Sequence, residues 1–484
     1  MAETHHSSGN WTELRSALLD AVGEKGCLFD PQDVAGYCED WRHLYKGRPP
    51  AVVRPASTDE VAAVVRLCSE RNFQIVPQGG NTGLMGGAIP SEAGTEIVLS
   101  LSRMNKIRDL DPVDMTMTVE AGVTLKAALD SAIAHECMLP ISMSSEMSAQ
   151  IGGVLSTNAG GNNTVRFGNA RDLVLGLEVV LPDGTRWNGL RRLRKDNTGY
   201  CLRQLFVGAE GTLGIITAAA LKLVPRPNEL VVAFCAMPSV QSALDLFVLF
   251  RQHLWNSIQA FEYISGEGVR IVSKHFPDTQ APFAQGHDHY VLFELAGASQ
   301  NPPLLEEVEE VLGEGMDKGF VLDALLAGSS SERAALWKLR EEQAEAHQRE
   351  CAGATVLNDV AVPVSKVPQF ITLVKAVCEQ RFPGIRAVAF GHLGDGNVHL
   401  ALLPPVGGDP VSFLSQGQDI MHTVNEVVRE FDGSFSAEHG IGHLKSYLMD
   451  EWRGGAELET MRQIKAALDP LGIMNPGKLL PPRR

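Results

Sequence analysis

Three glycine-rich turns constrain the first half of this chain more tightly than any other feature. "PQGGNTGLMGGAIP" (77–90) leaves the short apolar run "FQIVP" (73–77). "IGGVLSTNAGGNN" (151–163) and "GAEGTLGI" (208–215) share its style. Successive backbone N–H groups in such a turn form a concave nest that suits phosphate oxygens. Gly79, Gly80 and Gly83 tolerate positive φ and close approach of another backbone. The first turn lacks the Gly-Lys-Ser/Thr of a P-loop and the Gly-x-Gly-x-x-Gly spacing of a dinucleotide fingerprint. One such turn reads equally well as a flexible surface loop. Three of them within about 140 residues point to one extended ligand with a pyrophosphate in it.

Around these turns, apolar strands alternate with helical runs. "STDEVAAVVRLCSERN" (57–72) predicts a helix capped by Ser57, with Glu60 completing a capping box. "TMTVEAGVTLKAALDSAIAHE" (116–136) repeats the strand, turn and helix order. "LVLGLEVVLPDGTRW" (173–187) predicts a β-hairpin turning at Asp183-Gly184. After "VPRPNE" (224–229) the texture changes. Strands are expected at 230–237, 258–264 and 289–295, with helices near 239–254 and 303–316. A second round from Val321 predicts single helices at 331–349, 365–381 and 412–430. Between them fall the strands "DVAVP", "RAVAF" and "VHLALL". A β-rich layer backed by helices is an antiparallel α+β arrangement.

The chain has 484 residues, enough for two or more domains. With 58 acidic against 42 basic residues its formal charge is -16, which argues against a nucleic-acid partner. No apolar run approaches the ~18 residues of a membrane-spanning helix. The start lacks the basic and apolar regions of a signal peptide. The eight cysteines are scattered, with no Cys-x-x-Cys pair. Reduced thiols and a cytoplasmic location are the expectation.

The second half offers its own chemistry. In "GHLGDGNVHL" (391–400), His392 and His399 flank a glycine-containing turn. Gly394 and Gly396 disfavour a continuous helix. A hairpin brings the two imidazoles to neighbouring strand ends, where they can converge on a borderline metal such as zinc. A pair of ordinary surface histidines is the alternative. "SAEHGIGHLK" (436–445) adds Glu438, His439 and His443. Two His and one Glu leave room for a substrate oxygen, the composition of a catalytic metal site. His439, beside a ligand, is the better candidate proton acceptor, unless it is itself a fourth ligand or a cap. Arg340, in "LWKLRE", is either a solvated helix residue or a clamp on a substrate carboxylate, for which its fork is well shaped.

Together these motifs resemble the vanillyl-alcohol oxidase and p-cresol methylhydroxylase superfamily of flavoproteins. "PQGGNTGL" looks like its pyrophosphate loop, "TNAGG" and "GAEGTLGI" like its second and third flavin contacts, and "NPGK" (475–478) like its C-terminal return to the flavin. "GHLGDGNVH" and "SAEHGIG" are similar to the metal and proton-acceptor motifs of its D-2-hydroxyacid dehydrogenase branch. The resemblance runs from about Val52 to Leu480, with the motifs in order.

It implies an α+β fold in three stretches. These are a two-part FAD-binding domain with an N-terminal extension (1–227), an antiparallel-sheet substrate or cap domain (228–435) and a C-terminal segment returning to the flavin (436–484). FAD is expected at Gly79, Gly80, Asn81, Thr82, Gly83, Leu84, Gly152, Gly153, Thr157, Asn158, Glu210, Gly211, Ile215 and Asn475. It is expected to be noncovalent, because Asn81-Thr82 stands where covalent relatives often have a histidine. His392, His399 and Glu438 match the metal ligands, with Zn²⁺ the first choice. His439 matches the catalytic base, Asn397 the residue near the substrate oxygen, and Arg340 the carboxylate anchor. The implied reaction oxidises a D-2-hydroxy acid to a 2-keto acid by proton abstraction and hydride transfer to flavin N5. D-2-hydroxyglutarate is the leading substrate, ahead of D-lactate or a broad range. A flavoprotein or quinone would accept the electrons, and a homodimer is compatible with the sequence. A metal-dependent hydrolase would leave the glycine turns without a role. Two departures weaken a dicarboxylate preference. Leu357 and Asn358 stand where relatives have a lysine before this strand, and Ala344 stands where they have a hydroxyl residue.

Overall fold

The computed structural model describes residues 8–298 and 302–482. Residues 1–7, part of the start from which the lack of a signal peptide was read, lie outside them. The chain forms two compact units. The first comprises residues 1–160, 169–226 and 438–484, the second 161–168 and 227–437.

In the first unit, a four-stranded sheet runs in the order Cys27–Leu28, Val52–Val53, Glu96–Ser100, Gln74–Gln78. The last three strands are parallel. Helix Thr58–Arg71 starts where the Ser57 side chain accepts the Glu60 amide at 3.2 Å. Glu60 differs from the expected capping box, since its carboxylate accepts the amide of Ala56 at 2.8 Å. Val61, Val64, Val65 and Cys68 recur at helical spacing and are buried. They share a core with Leu14 and Leu18 of helix Ser8–Val22, which gives the N-terminal extension a packing role.

A second sheet in this unit is antiparallel, in the order Ile107–Asp111, Thr116–Glu120, Ile215–Lys222, Val174–Val180, Arg186–Gly189. Its last two strands are the expected hairpin, turning with Gly184 at φ 80°. Residues 473–475 return to lie beside strand Gln74–Gln78. Ile75 donates to Ile473 and accepts from the Asn475 amide, both at 2.8 Å.

The second unit is built on a seven-stranded antiparallel sheet. Its order is Asp323–Leu326, Glu229–Met237, His289–Gly297, Ile258–Ser265, Arg386–His392, Asn397–Leu403, Val356–Ala361. Residues 161–168, which the sequence assigns to the first stretch, pack here instead, and Arg166 donates to the Ala296 carbonyl at 2.9 Å.

Two helices expected to be continuous are broken, for one physical reason. Helices Ser330–Glu341 and Gln343–Glu350 meet at Glu342, and Pro410–Ser415 and Gly417–Glu430 meet at Gln416. At each joint a glutamine side chain donates to the carbonyl four residues back, Gln343 to Leu339 at 2.7 Å and Gln416 to Ser412 at 3.2 Å. A side chain that competes for a helix carbonyl weakens the ladder at that point. Among the described residues, no helix is long and apolar enough to cross a membrane.

Candidate active site

The glycine turns of the first unit surround a cleft with about 1010 Å³ of empty space, part of it continuous with solvent. Gly79 through Leu84, Gly152, Gly153, Thr157, Glu210, Gly211 and Ile215 line it, and so does His439. The turns come close because they lack side chains. A Cβ on Gly80 would lie 1.9 Å from the Ser148 carbonyl oxygen. The backbone is also held in sparsely populated conformations. Asn81, Asn158, Glu210 and Asn475 adopt φ of 54°, 51°, 51° and 43°. Left-handed non-glycine residues are uncommon and cluster at ligand sites. A narrow, glycine-walled cleft edged by main-chain groups fits the elongated, pyrophosphate-containing cofactor expected from the sequence.

Two expected cofactor residues, Asn158 and Asn475, brace the turns. The Asn158 side chain accepts the Arg171 amide at 2.9 Å. Asn475 Nδ2 donates to the carbonyls of Gly87 at 3.0 Å and Glu210 at 2.7 Å, tying two turns together. Glu210 lines the cleft, yet both its carboxylate oxygens accept amides, from Ile441 and Gly442, each at 2.7 Å. Burial pushes its carboxyl up, while those two amides and the nearby Lys445 pull it down, and burial prevails. Glu210 thereby anchors the segment that carries His439. Glu438 Oε1 lies 4.0 Å from His439 Nε2. His443 packs edge-on against Tyr45 with ring centroids 5.2 Å apart, a structural use for the histidine left over in the sequence motif.

In the second unit, strands Arg386–His392 and Asn397–Leu403 form the expected hairpin, with Phe390 opposite His399. The His392 and His399 rings lie 5.3 Å apart. Each faces a buried carboxylate. Glu262, directly across from His392 on strand Ile258–Ser265, accepts from His392 Nδ1 at 2.7 Å. Asp359, directly across from His399 on strand Val356–Ala361, lies 3.6 Å from His399 Nδ1. Asn397 donates from Nδ2 to Asp359 at 2.9 Å and to the Val360 carbonyl at 3.0 Å, so its amide hydrogens hold the hairpin. Arg340 donates from Nε to the other oxygen of Glu262 at 2.6 Å and lies over the Phe390 ring at 4.9 Å. Among the described residues its Nη1 and Nη2 have no hydrogen-bond partner, which leaves the two-pronged end of the fork for a ligand. Burial raises the Glu262 carboxyl, but His392 and Arg340, by charge and by hydrogen bond, bring it down to about 2. Two imidazoles, one held at Nδ1 by a carboxylate and the other 3.6 Å from one, are a donor set suited to a divalent cation.

Glu262 and Asp359 escaped the reading of the sequence. Each is an acid inside a mostly apolar strand, "IQAFEYIS" and "VLNDVA", and a buried charge is the informative exception on such a strand. Of the specificity positions, Leu357 is half-buried and Ala344 exposed.

The family described as FAD linked oxidases, C-terminal domain, matches residues 226–479, and the FAD binding domain family matches residues 49–188. The chain is 37% identical over 465 residues to the D-2-hydroxyglutarate dehydrogenase of Xanthomonas citri pv. viticola, covering 96% of each protein. It is 36% identical to the mitochondrial D-2-hydroxyglutarate dehydrogenase of Bos taurus, covering 96% of this chain and 83% of the relative. Among solved structures, substrate-bound p-cresol methylhydroxylase aligns with a TM-score of 0.75 at 17% identity, covering 98% of each chain. Alkyldihydroxyacetonephosphate synthase aligns at 0.71 and 17% identity, covering 96% of this chain and 84% of that one. These two share the fold. The chain belongs to the FAD-linked oxidases, in the group that holds the D-2-hydroxyglutarate dehydrogenases.

Proposed function

We propose that this protein oxidises D-2-hydroxyglutarate to 2-oxoglutarate, with noncovalent FAD as its redox cofactor and a divalent cation as its assistant. The observation that carries the substrate is the near full-length similarity to two dehydrogenases named for it. FAD, held by the glycine turns, would supply the acceptor for the hydride that leaves the substrate's Cα, chemistry that belongs to the cofactor. A divalent cation, Zn²⁺ first among the choices, supplies Lewis-acid polarisation of the substrate hydroxyl.

The chain's own residues do the rest. The Nη edge of Arg340, unpaired among the described residues, receives the C1 carboxylate in a two-pronged contact. His392 and His399 offer the imidazole ligands of the cation, and Glu438 is assigned as its carboxylate ligand on the resemblance alone. His439 takes the hydroxyl proton. Asn397 and Asp359 hold the hairpin's geometry. A cytoplasmic location, a flavoprotein or quinone as electron acceptor and a homodimer complete this reading.

Anaerobic mixing with a panel of D- and L-2-hydroxy acids tests it. D-2-hydroxyglutarate should bleach the flavin fastest and leave 2-oxoglutarate, L-acids should leave it oxidised, and acid precipitation should release FAD. Leu357 and Ala344 supply no second cation, so the advantage over D-lactate should stay below ~10³-fold, about 4 kcal/mol. Bleaching confined to monocarboxylates overturns the substrate. Protein that holds no flavin after reconstitution overturns the reaction.

A further inference from the structure

We infer that Glu262 is a positioning residue that sets both the metal-binding face of His392 and the substrate-binding face of Arg340. The inference rests on the metal-assisted reading above. Glu262 lies at the crossing of both functions, on strand Ile258–Ser265 and directly across from His392. Its side chain is fully buried, and its two oxygens have different partners. Oε1 meets His392 Nδ1 at 2.7 Å, and Oε2 meets Arg340 Nε at 2.6 Å.

A carboxylate in this position only accepts hydrogen bonds. His392 must therefore carry a proton on Nδ1, which leaves Nε2 as the nitrogen able to bind a cation. The same carboxylate takes the single hydrogen on Arg340 Nε, and so leaves the Nη1/Nη2 edge for a ligand. Carboxylates that grip the far nitrogen of a ligating histidine fix its tautomer and orientation, and their loss typically weakens metal binding ~10–100-fold. One oxygen pair thus imposes a common geometry on two side chains that come from different elements, a strand end and the helix Ser330–Glu341.

No other carboxylate does this work for Arg340 among the described residues. Burial makes the arrangement strict. An amide at this position keeps the volume and one acceptor, but its NH₂ then faces a hydrogen-bond donor, His392 Nδ1–H or Arg340 Nε–H. One of the two side chains must turn away.

The test compares wild type and Glu262→Gln, both loaded with FAD. Zn²⁺ affinity is read by competition with a chromophoric chelator, and KM and kcat are measured for D-2-hydroxyglutarate. Glu262→Gln should hold Zn²⁺ ~10–100-fold more weakly. Its KM should rise even at saturating Zn²⁺, with FAD content unchanged. A merely structural Glu262 would lower FAD content and melting temperature without a selective loss of Zn²⁺ affinity. Zn²⁺ affinity within twofold of wild type overturns the inference, while wild-type protein that holds no metal overturns the metal-assisted reading itself. If Glu262→Gln fails to fold, ¹⁵N-histidine spectra of metal-free wild type decide the matter, with His392→Asn identifying the signal. A proton on His392 Nδ1 supports the inference, and a neutral ring protonated on Nε2 overturns it.

Discussion

The two units build their sites from different materials. In the first, the cleft is made of backbone: glycines such as Gly80 and Gly152 where a methyl group has no room, and asparagines and a glutamate held at left-handed φ. In the second, the site is made of side chains set beside buried carboxylates on neighbouring strands. A backbone-built site is intolerant of added atoms. A side chain-built site is intolerant of lost partners. The difference predicts which substitutions should uncouple cofactor binding from chemistry.

The largest expected effect breaks the first site alone. Gly80→Val places a branched side chain against the Ser148 carbonyl, which a single Cβ would already approach to 1.9 Å. FAD should be lost, read as the flavin-to-protein ratio after gel filtration. His392→Ala should instead keep its flavin and lose metal. A yellow Gly80→Val variant would show that the turn yields and that the contrast between the sites is weaker than drawn.

Next is His439, which lines the flavin cleft. His439→Ala should keep FAD and metal while flavin reduction slows ~10²–10⁴-fold, the usual loss of a general base. Single-turnover stopped-flow at 450 nm measures it, and a wild-type rate would exclude the role.

A smaller effect sharpens the account of the second unit. His347 is fully buried, neither ring nitrogen has a hydrogen-bond partner among the described residues, and the ring packs 5.5 Å from Phe390. Burial first, then the charge of Arg386, lowers its pKa to about 4. Between pH 6.5 and 4 the unfolded chain binds a proton that the folded one refuses. The stability contributed is whole above pH 6.5 and is lost as pH falls towards 4, by about 3 kcal/mol. His347→Phe should flatten that part of a urea-denaturation pH profile. An unchanged slope would place the proton elsewhere.

How much was legible follows the same division. Glycine turns announce themselves because backbone conformation is written in residue type, and the hairpin holding His392 and His399 followed from local turn chemistry. Helix joints at Glu342 and Gln416 did not, since Gln343 and Gln416 are ordinary helix formers until their side chains take a carbonyl. Glu262 and Asp359 were missed because their partners lie 130 and 40 positions along the chain, a pairing that only strand register creates. Asn475 was placed by resemblance, but its bonds to Gly87 and Glu210 span 388 and 265 positions.

That return of the C-terminal stretch also orders events during synthesis. The seven strands of the second sheet are all translated by residue 403, whereas Ile473 and Asn475, which complete the edge beside Ile75, follow only after that sheet's last strand. Domains generally fold in the order in which the ribosome delivers them. Here the unit begun first is finished after the other, so its FAD cleft waits on the second unit's synthesis. A nascent chain stalled after the second sheet would carry the histidine hairpin but not the finished cleft.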